Sequence, residues 1–331
     1  MDKIYRIGSF NLNNIGIGSF TNSRDLVKIA SIIQEERLDV VALQEVLSEG
    51  KIFTKNDVPS SIAKSSIITY LGGPKRWGFE WAYSGDESPR HEGYAFLWNK
   101  KRLRLSTAKV TRNGVTFERI YYPRMIPSYG DNMKRNPYFA RFTPQGMPGG
   151  SSFEIRLICV HTYFGAKDKN KEIDVLLQNI YPKLAAMNFQ NGYTKYTVLL
   201  GDYNAELVTD KNKAYVEQRN EYRAKNNIRI PDVIKTDGEG CVFSSKYGVK
   251  VKTVQDQLTT LKKKENTEEF ADRGYASNYD HFSYDENQIG HVVNGEPRRI
   301  DAVRLYCGDD FEKYFKTISD HIPIVMELKI N

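Results

Sequence analysis

Paired cysteines, a membrane-length apolar run and an internal repeat are all missing from this 331-residue sequence. The three cysteines, Cys159, Cys241 and Cys307, are odd in number and lack metal-ligand spacing, which argues against a disulfide framework and a zinc site. Cys159, within Leu157-Ile158-Cys159-Val160, reads as a small buried thiol. No apolar stretch approaches the roughly 20 residues that cross a bilayer as a helix. The opening Met1-Asp2-Lys3-Ile4 lacks the apolar block of a signal peptide, which sets the expectation of a cytoplasmic protein, or of a secreted one had a leader been removed. Gly16-Ile17-Gly18 has neither the Lys-Ser/Thr ending of a P-loop nor a dinucleotide-binding spacing, so it reads as a connection.

What is present is the composition of a globular chain, with 40% hydrophobic residues, 24 glycines and 12 prolines. The length exceeds the roughly 250–300 residues at which a single core stops growing. One large α/β domain over residues 1–331 is expected, with surface insertions near 111–151 and 206–275. The net charge of +7 is unevenly placed. Residues 99–142 carry eleven Lys or Arg against Glu118 and Asp131, a local balance of +9, and the same stretch holds Tyr121, Tyr122, Tyr129, Tyr138 and Phe139. Basic residues interleaved with aromatics suit a surface that follows a polyphosphate backbone. A solvated strand-and-loop face has the same composition.

Polar residues recur at the ends of apolar strands. Tyr5–Leu12 reads as a strand bearing Asn11, and Asp39–Leu43 as a buried strand closed by Gln44-Glu45. Between them, Leu26, Ile29, Ala30 and Ile33 share one face of a helix that Asn22 or Ser23 would cap. Glu92 precedes the aromatic strand Tyr94–Trp98. Phe153–Val160 ends in His161, and Tyr196–Leu200 ends in Gly201-Asp202-Tyr203-Asn204. Arg298–Val303 reads as a strand, and Ser319-Asp320-His321 stands at the mouth of the last one. A carboxylate at a strand end suits a hard metal ion, and an imidazole suits proton transfer or a phosphate contact. A turn residue is the plainer reading of each position taken alone.

Taken in order, Phe10-Asn11, Leu43-Gln44-Glu45, Gly201-Asp202-Tyr203-Asn204-Ala205, Asn278-Tyr279-Asp280-His281 and Ser319-Asp320-His321 resemble the signatures of the endonuclease/exonuclease/phosphatase superfamily. Glu92-Gly93-Tyr94 and His161 make the chain most similar to its deoxyribonuclease I-like branch. The resemblance implies a four-layer α/β sandwich, two packed and largely antiparallel sheets flanked by helices. It also implies a metal-dependent phosphodiester hydrolase using Mg²⁺, with Mn²⁺ or Ca²⁺ as substitutes, and most simply a nuclease cleaving DNA.

In that pattern Glu45 holds the metal with Asn11 and Asp320 close by, and Asp202 and Asn204 position the attacking water. His161 and His321 flank the phosphate, oriented by Glu92 and Asp280 respectively. Asp301, in Arg299-Ile300-Asp301, competes with Asp280, which has the fuller match. His91 and His281 read as exposed or core histidines. Arg90, Lys134, Arg135 and Arg141 are the cations expected to meet a nucleic-acid backbone. No protein partner is suggested by the sequence. A phosphatase or phosphodiesterase acting on a phosphoinositide, a sphingomyelin-like lipid or another small phosphoester is the alternative, and a non-catalytic module on the same fold a further one.

Overall fold

Strand-forming runs dominate this chain, and their period-two burial decides which face each one covers. The computed structural model describes residues 3–16, 24–47, 67–85, 92–112, 114–127, 133–146, 153–163, 169–189, 192–244, 246–262 and 274–331. Arg90 and His91 lie outside the described residues. Six strands form the first sheet in the order β17 (Arg298–Arg299), β18 (Ile324–Ile330), β1 (Lys3–Ile15), β2 (Val40–Leu47), β4 (Glu92–Asn99) and β3 (Trp77–Tyr83). The second sheet runs β14 (Cys241–Ser244), β15 (Val249–Val254), β16 (Asp280–Asp285), β11 (Thr194–Asp202), β10 (Phe153–His161), β9 (Tyr138–Pro144) and β5 (Leu103–Leu105), with β8 (Arg124–Met125) also on β9. Two ribbons stand apart, β6 (Thr107–Arg112) with β7 (Val115–Ile120) and β12 (Ala205–Leu207) with β13 (Asp232–Ile234). Within the two sheets the strands pair antiparallel, except for β1 with β2 and β10 with β11.

Three apolar layers separate four structural ones. Tyr5, Ile7, Val40 and Ala42 of the first sheet meet Leu157, Cys159, Val198 and Leu200 of the second to form the sandwich interior. The alternate residues Phe10, Leu12, Val41 and Leu43 pack outward on helices 26–35, 302–307 and 311–317. Ile158, Val160 and Leu199 pack outward on the helical stretch 169–186. That stretch holds a π turn at Leu176–Ile180, just before Pro182, which has no N–H to continue the α ladder. No helix among the described residues is long and apolar enough to cross a membrane.

Several expectations change. The first helix is capped by Asp25, whose carboxylate accepts from the Lys28 N–H at 3.0 Å, rather than by Asn22 or Ser23, which lie outside the described residues. Arg298–Val303 is not one strand: pairing stops at Arg299, and Asp301 leads into helix Ala302–Cys307. Strand β9 falls inside the segment 111–151 yet is integral to the second sheet, and β14 and β15, within 206–275, extend that sheet's edge.

The basic segment also divides. Strand β4 starts at Glu92 and carries the chain away from it, so Lys100–Arg102 follow its far end. Arg102 there binds Asp39 at the start of β2. Arg112 and Arg119 are exposed on the β6–β7 ribbon.

Candidate active site

Both parallel pairs end at the same rim of the sandwich. In register, Asn11 lies beside Gln44 and His161 beside Asp202, so two strands of each sheet deliver polar side chains to one place. At Glu45 the β2 register breaks, and the residue adopts a left-handed φ of 54°, an uncommon conformation for a glutamate and one that clusters at functional sites. Gly201 is required one step before Asp202. Its φ is +143°, and an added Cβ would lie 2.0 Å from the Val160 carbonyl oxygen.

Asp202 is the hub. Its Oδ2 accepts from the Asn11 amide at 3.0 Å, across the two sheets, and lies 3.5 Å from Nε2 of both His161 and His321. Its Oδ1 accepts from the Asn204 backbone N–H at 2.8 Å. Each imidazole has its own acid behind it: His161 Nδ1 contacts Glu92 Oε1, and His321 Nδ1 lies 2.8 Å from Asp280 Oδ2. Asp301 is elsewhere, bound to Arg304 at 2.5 Å, so Asp280 is the partner of His321.

Burial is the largest influence on both rings, and their charged neighbours separate them. Burial, then Arg135, pulls His161 down to about 4 against Asp202 and Glu45. Burial also opposes charge on His321, but Asp280 and Asp202 overcome it and raise the ring well above its ordinary 6.5. One neutral and one protonated imidazole at neutral pH make an acid–base pair of opposite readiness.

Asn11 donates to Glu45 Oε1 at 2.9 Å as well as to Asp202. Burial raises the Glu45 carboxyl, and the charges of Glu92 and Asp320 add to the rise. Asp320 has a buried Oδ1 with no hydrogen-bond partner. Clustered acids and an orphaned carboxylate oxygen fit a hard divalent cation. A second grouping exists: ligand atoms of Glu45, His161 and Asp202 lie within 4.8 Å of one another. Asp320 is outside that trio, and Glu45 is common to both sets. Asn204 gives its amide N–H to the Thr162 carbonyl at 2.8 Å and has a left-handed φ of 46°, so its main visible effect is to fix the turn after β11.

The last motif is held from behind. Ser319 Oγ donates to the Asn11 carbonyl at 2.7 Å and accepts from the His321 N–H at 3.1 Å. His281 is a core residue, each ring nitrogen facing a carbonyl, Gln255 at 2.8 Å and Ala205 at 2.9 Å.

The expected nucleic-acid cations separate. Lys134 is exposed at the rim, its Nζ 4.1 Å over the Tyr163 ring. Arg135 binds Glu92 Oε2 at 2.9 Å and the Thr162 carbonyl at 3.3 Å, so it braces the acid behind His161. Arg141 is corrected outright: it is fully buried, paired with Glu154 at 2.6 Å and stacked over Phe189, so it is a structural cation and not one on the rim.

Arg24 was not foreseen. Its guanidinium donates to the carbonyls of Phe315 at 3.0 Å and Asn13 at 2.8 Å, in the fields of Asp320 and Glu45. It ties the exit of β1 to the C-terminal end of helix 311–317. It carries no periodic or motif signal in sequence.

The sequence matches the Endonuclease/Exonuclease/phosphatase family over residues 8–321. Solved structures of similar fold include an endonuclease/exonuclease/phosphatase family protein of Bacteroides thetaiotaomicron, 13% identical over 100% of this chain and 99% of that one, with a TM-score of 0.50. TDP2 of D. rerio, complexed with a single-strand DNA product, is 17% identical over 98% and 99% of the two chains, TM-score 0.50. TDP2 of Caenorhabditis elegans is 13% identical over 99% of this chain and 74% of that one, TM-score 0.50. No protein of curated function matches the sequence.

Proposed function

The chain belongs to the endonuclease/exonuclease/phosphatase family, and from that premise we propose that it is a divalent-metal-dependent phosphodiester hydrolase whose substrate is DNA. One observation carries the reading: Asp202 stands 3.5 Å from the Nε2 atoms of two imidazoles, each backed by its own carboxylate. A phosphodiester is anionic and resists attack, so hydrolysis needs a base for the water, an acid for the leaving oxygen and positive charge beside the phosphoryl oxygens.

His161 is the ring suited to accept the proton, being neutral. Glu92 fixes its Nδ1 and so directs Nε2 toward the rim, while Arg135 keeps that acid in place. His321, kept protonated by Asp280 and Asp202, is the ring suited to donate to the leaving oxygen. Asp202 holds both rings and Asn11, and Asn204 holds Asp202. Mg²⁺, or Mn²⁺ or Ca²⁺ in its place, would be held by Glu45 with Asn11 and Asp320 alongside, and when bound offsets the charge that builds on the phosphoryl oxygens.

DNA is preferred because exposed Lys134 and its Tyr163 partner flank His161, and because TDP2 of D. rerio, similar in fold, was solved with a single-strand DNA product. Incubation with supercoiled plasmid, single strands, RNA and a soluble phosphoester panel, with Mg²⁺ or EDTA, is the test. Mg²⁺-dependent DNA cleavage supports the proposal. Turnover of small phosphoesters alone would transfer the same chemistry to another substrate, and activity in EDTA would remove the metal from it.

The pH profile should be asymmetric. Activity that needs neutral His161 falls as pH drops through about 4. Activity that needs protonated His321 falls as pH rises through a value well above 6.5. In Asp280→Asn the alkaline limb should move down toward 6.5, the ordinary imidazole value, while the acid limb stays. A kcat profile in which that variant keeps the wild-type alkaline limb would remove His321 as the acid.

A further inference from the structure

One cation of the +9 segment, Arg102, lies at the opposite pole of the sandwich from the catalytic rim, on the wall of a cavity. Arg6 is at the start of β1 and Asn11 toward its end, five residues on, so at 3.3 Å per residue the two are about 17 Å apart. The cavity, about 620 Å³, lies at the Arg6 end, between the start of β1, the turn after helix 26–35, the start of β3 and the turn after β4. Arg6, Arg37, Arg76 and Arg102 line it, with Asp39 as the acid and the exposed amide of Gln34 beside them.

These arginines are of two kinds. Arg102 is bound to Asp39 at 2.9 Å and Arg6 to Glu327 at 2.8 Å, which neutralises both and stiffens the wall. Arg37 and Arg76 are exposed, and neither has an acidic partner among the described residues. Their backbones are nonetheless fixed. Arg37 takes a left-handed φ of 52° and donates its N–H to the Gln34 carbonyl at 3.0 Å. Arg76 donates to Gly73 at 3.0 Å, and its carbonyl accepts from the Lys100 N–H at 2.9 Å, which joins the turns before β3 and after β4.

Two unneutralised guanidinium groups on a braced, donor-rich wall favour an anion that can take forked hydrogen bonds, above all phosphate. The volume is within the range of about 300–1,000 Å³ typical of small-molecule pockets and takes a nucleotide-sized molecule. None of these residues has a part in the hydrolytic site.

We propose that this cavity is a second anion site, separate from the catalytic rim, which binds a small phosphate-bearing molecule of nucleotide size through Arg37 and Arg76. The test is calorimetric titration of the full chain with pyrophosphate and with ADP, in EDTA so that no metal-bridged phosphate forms at the rim. Wild type and a Glu45→Gln/His321→Ala double variant should bind alike. Arg37→Glu/Arg76→Glu should lose affinity by at least about tenfold, with an unchanged melting temperature because both side chains are exposed. Arg37→Lys/Arg76→Lys, which keeps the charge and loses the fork, should fall between. Equal binding by the Glu variant, loss of binding in the rim variant, or no binding by wild type at millimolar ligand would each overturn the proposal. Displacement of pyrophosphate by a short single strand of DNA in the rim variant would also overturn it, assigning the surface to a nucleic-acid track.

Discussion

Asp202→Asn is expected to lower phosphodiester turnover by about a thousandfold while leaving the protein folded. The substitution keeps the shape of the side chain, and its carbonyl oxygen can still accept from the Asn204 N–H, as Oδ1 does at 2.8 Å. What it cannot keep is the acceptor at the other oxygen. The Asn11 amide, now 3.0 Å from Oδ2, would face a second N–H₂ group. The charge that helps hold His321 protonated would be gone, and both imidazoles would lose the group 3.5 Å from their Nε2 atoms. The loss should fall on kcat, read from single-turnover cleavage of plasmid or single-stranded DNA, with substrate binding little changed. A variant with near-wild-type kcat would take Asp202 out of the chemistry.

Glu154→Ala should give the largest loss of stability, about 3–5 kcal/mol. Glu154 is buried between Arg141, at 2.6 Å, and Arg156, also at 2.6 Å. Both guanidinium groups are themselves buried, so a single carboxylate already serves two cations. Arg156 keeps one further bond, to the Met187 carbonyl at 2.6 Å, and both guanidinium groups lie over the Phe189 ring. Burial already lowers Arg156, and removing Glu154 would leave two unpaired cations against an aromatic wall. Thermal unfolding should show Tm falling by about 5–10 °C. Adding Arg141→Met should restore part of the loss, since an apolar side chain of similar length needs no counter-charge. An unchanged Tm for Glu154→Ala would mean that water reaches the pair.

The strands and their polar ends were legible because two signals coincide there, period-two burial and a break in it. Asn11, Glu45, His161 and Asp202 each follow an apolar run; His161 and Asp202 close their strands, and Asn11 and Glu45 sit where the register of their strands shifts. The cations were not legible in the same way. Arg141 stands in Tyr138-Phe139-Ala140-Arg141-Phe142 at a position that alternation assigns to the outer face, and sequence does not say that Tyr121 and Phe189 cover that face. Its partner Glu154 is in the next strand, so only the register of β9 on β10 reveals the pair. Asp301 competed with Asp280 because Arg299-Ile300-Asp301 reads as a strand, whereas pairing stops at Arg299 and Asp301 turns into the next helix to bind Arg304. The division of the +9 segment could have been read: Glu92 heads an eight-residue strand, so Lys100–Arg102 had to emerge some 25 Å from it. A count of charges has no direction until the strand is given one.

The hydrogen bond from Asn11 to Asp202 spans the seam between the two sheets. Each parallel pair supplies one half of the rim, Asn11 and Glu45 from the first sheet, His161 and Asp202 from the second. Within the paired strands themselves the amides of Asn11 and Gln44 belong to the first sheet and the imidazole of His161 to the second, while each half brings an acid. The site therefore straddles the contact between the sheets rather than belonging to either one. The rim is in this way complete only once both halves of the fold have met.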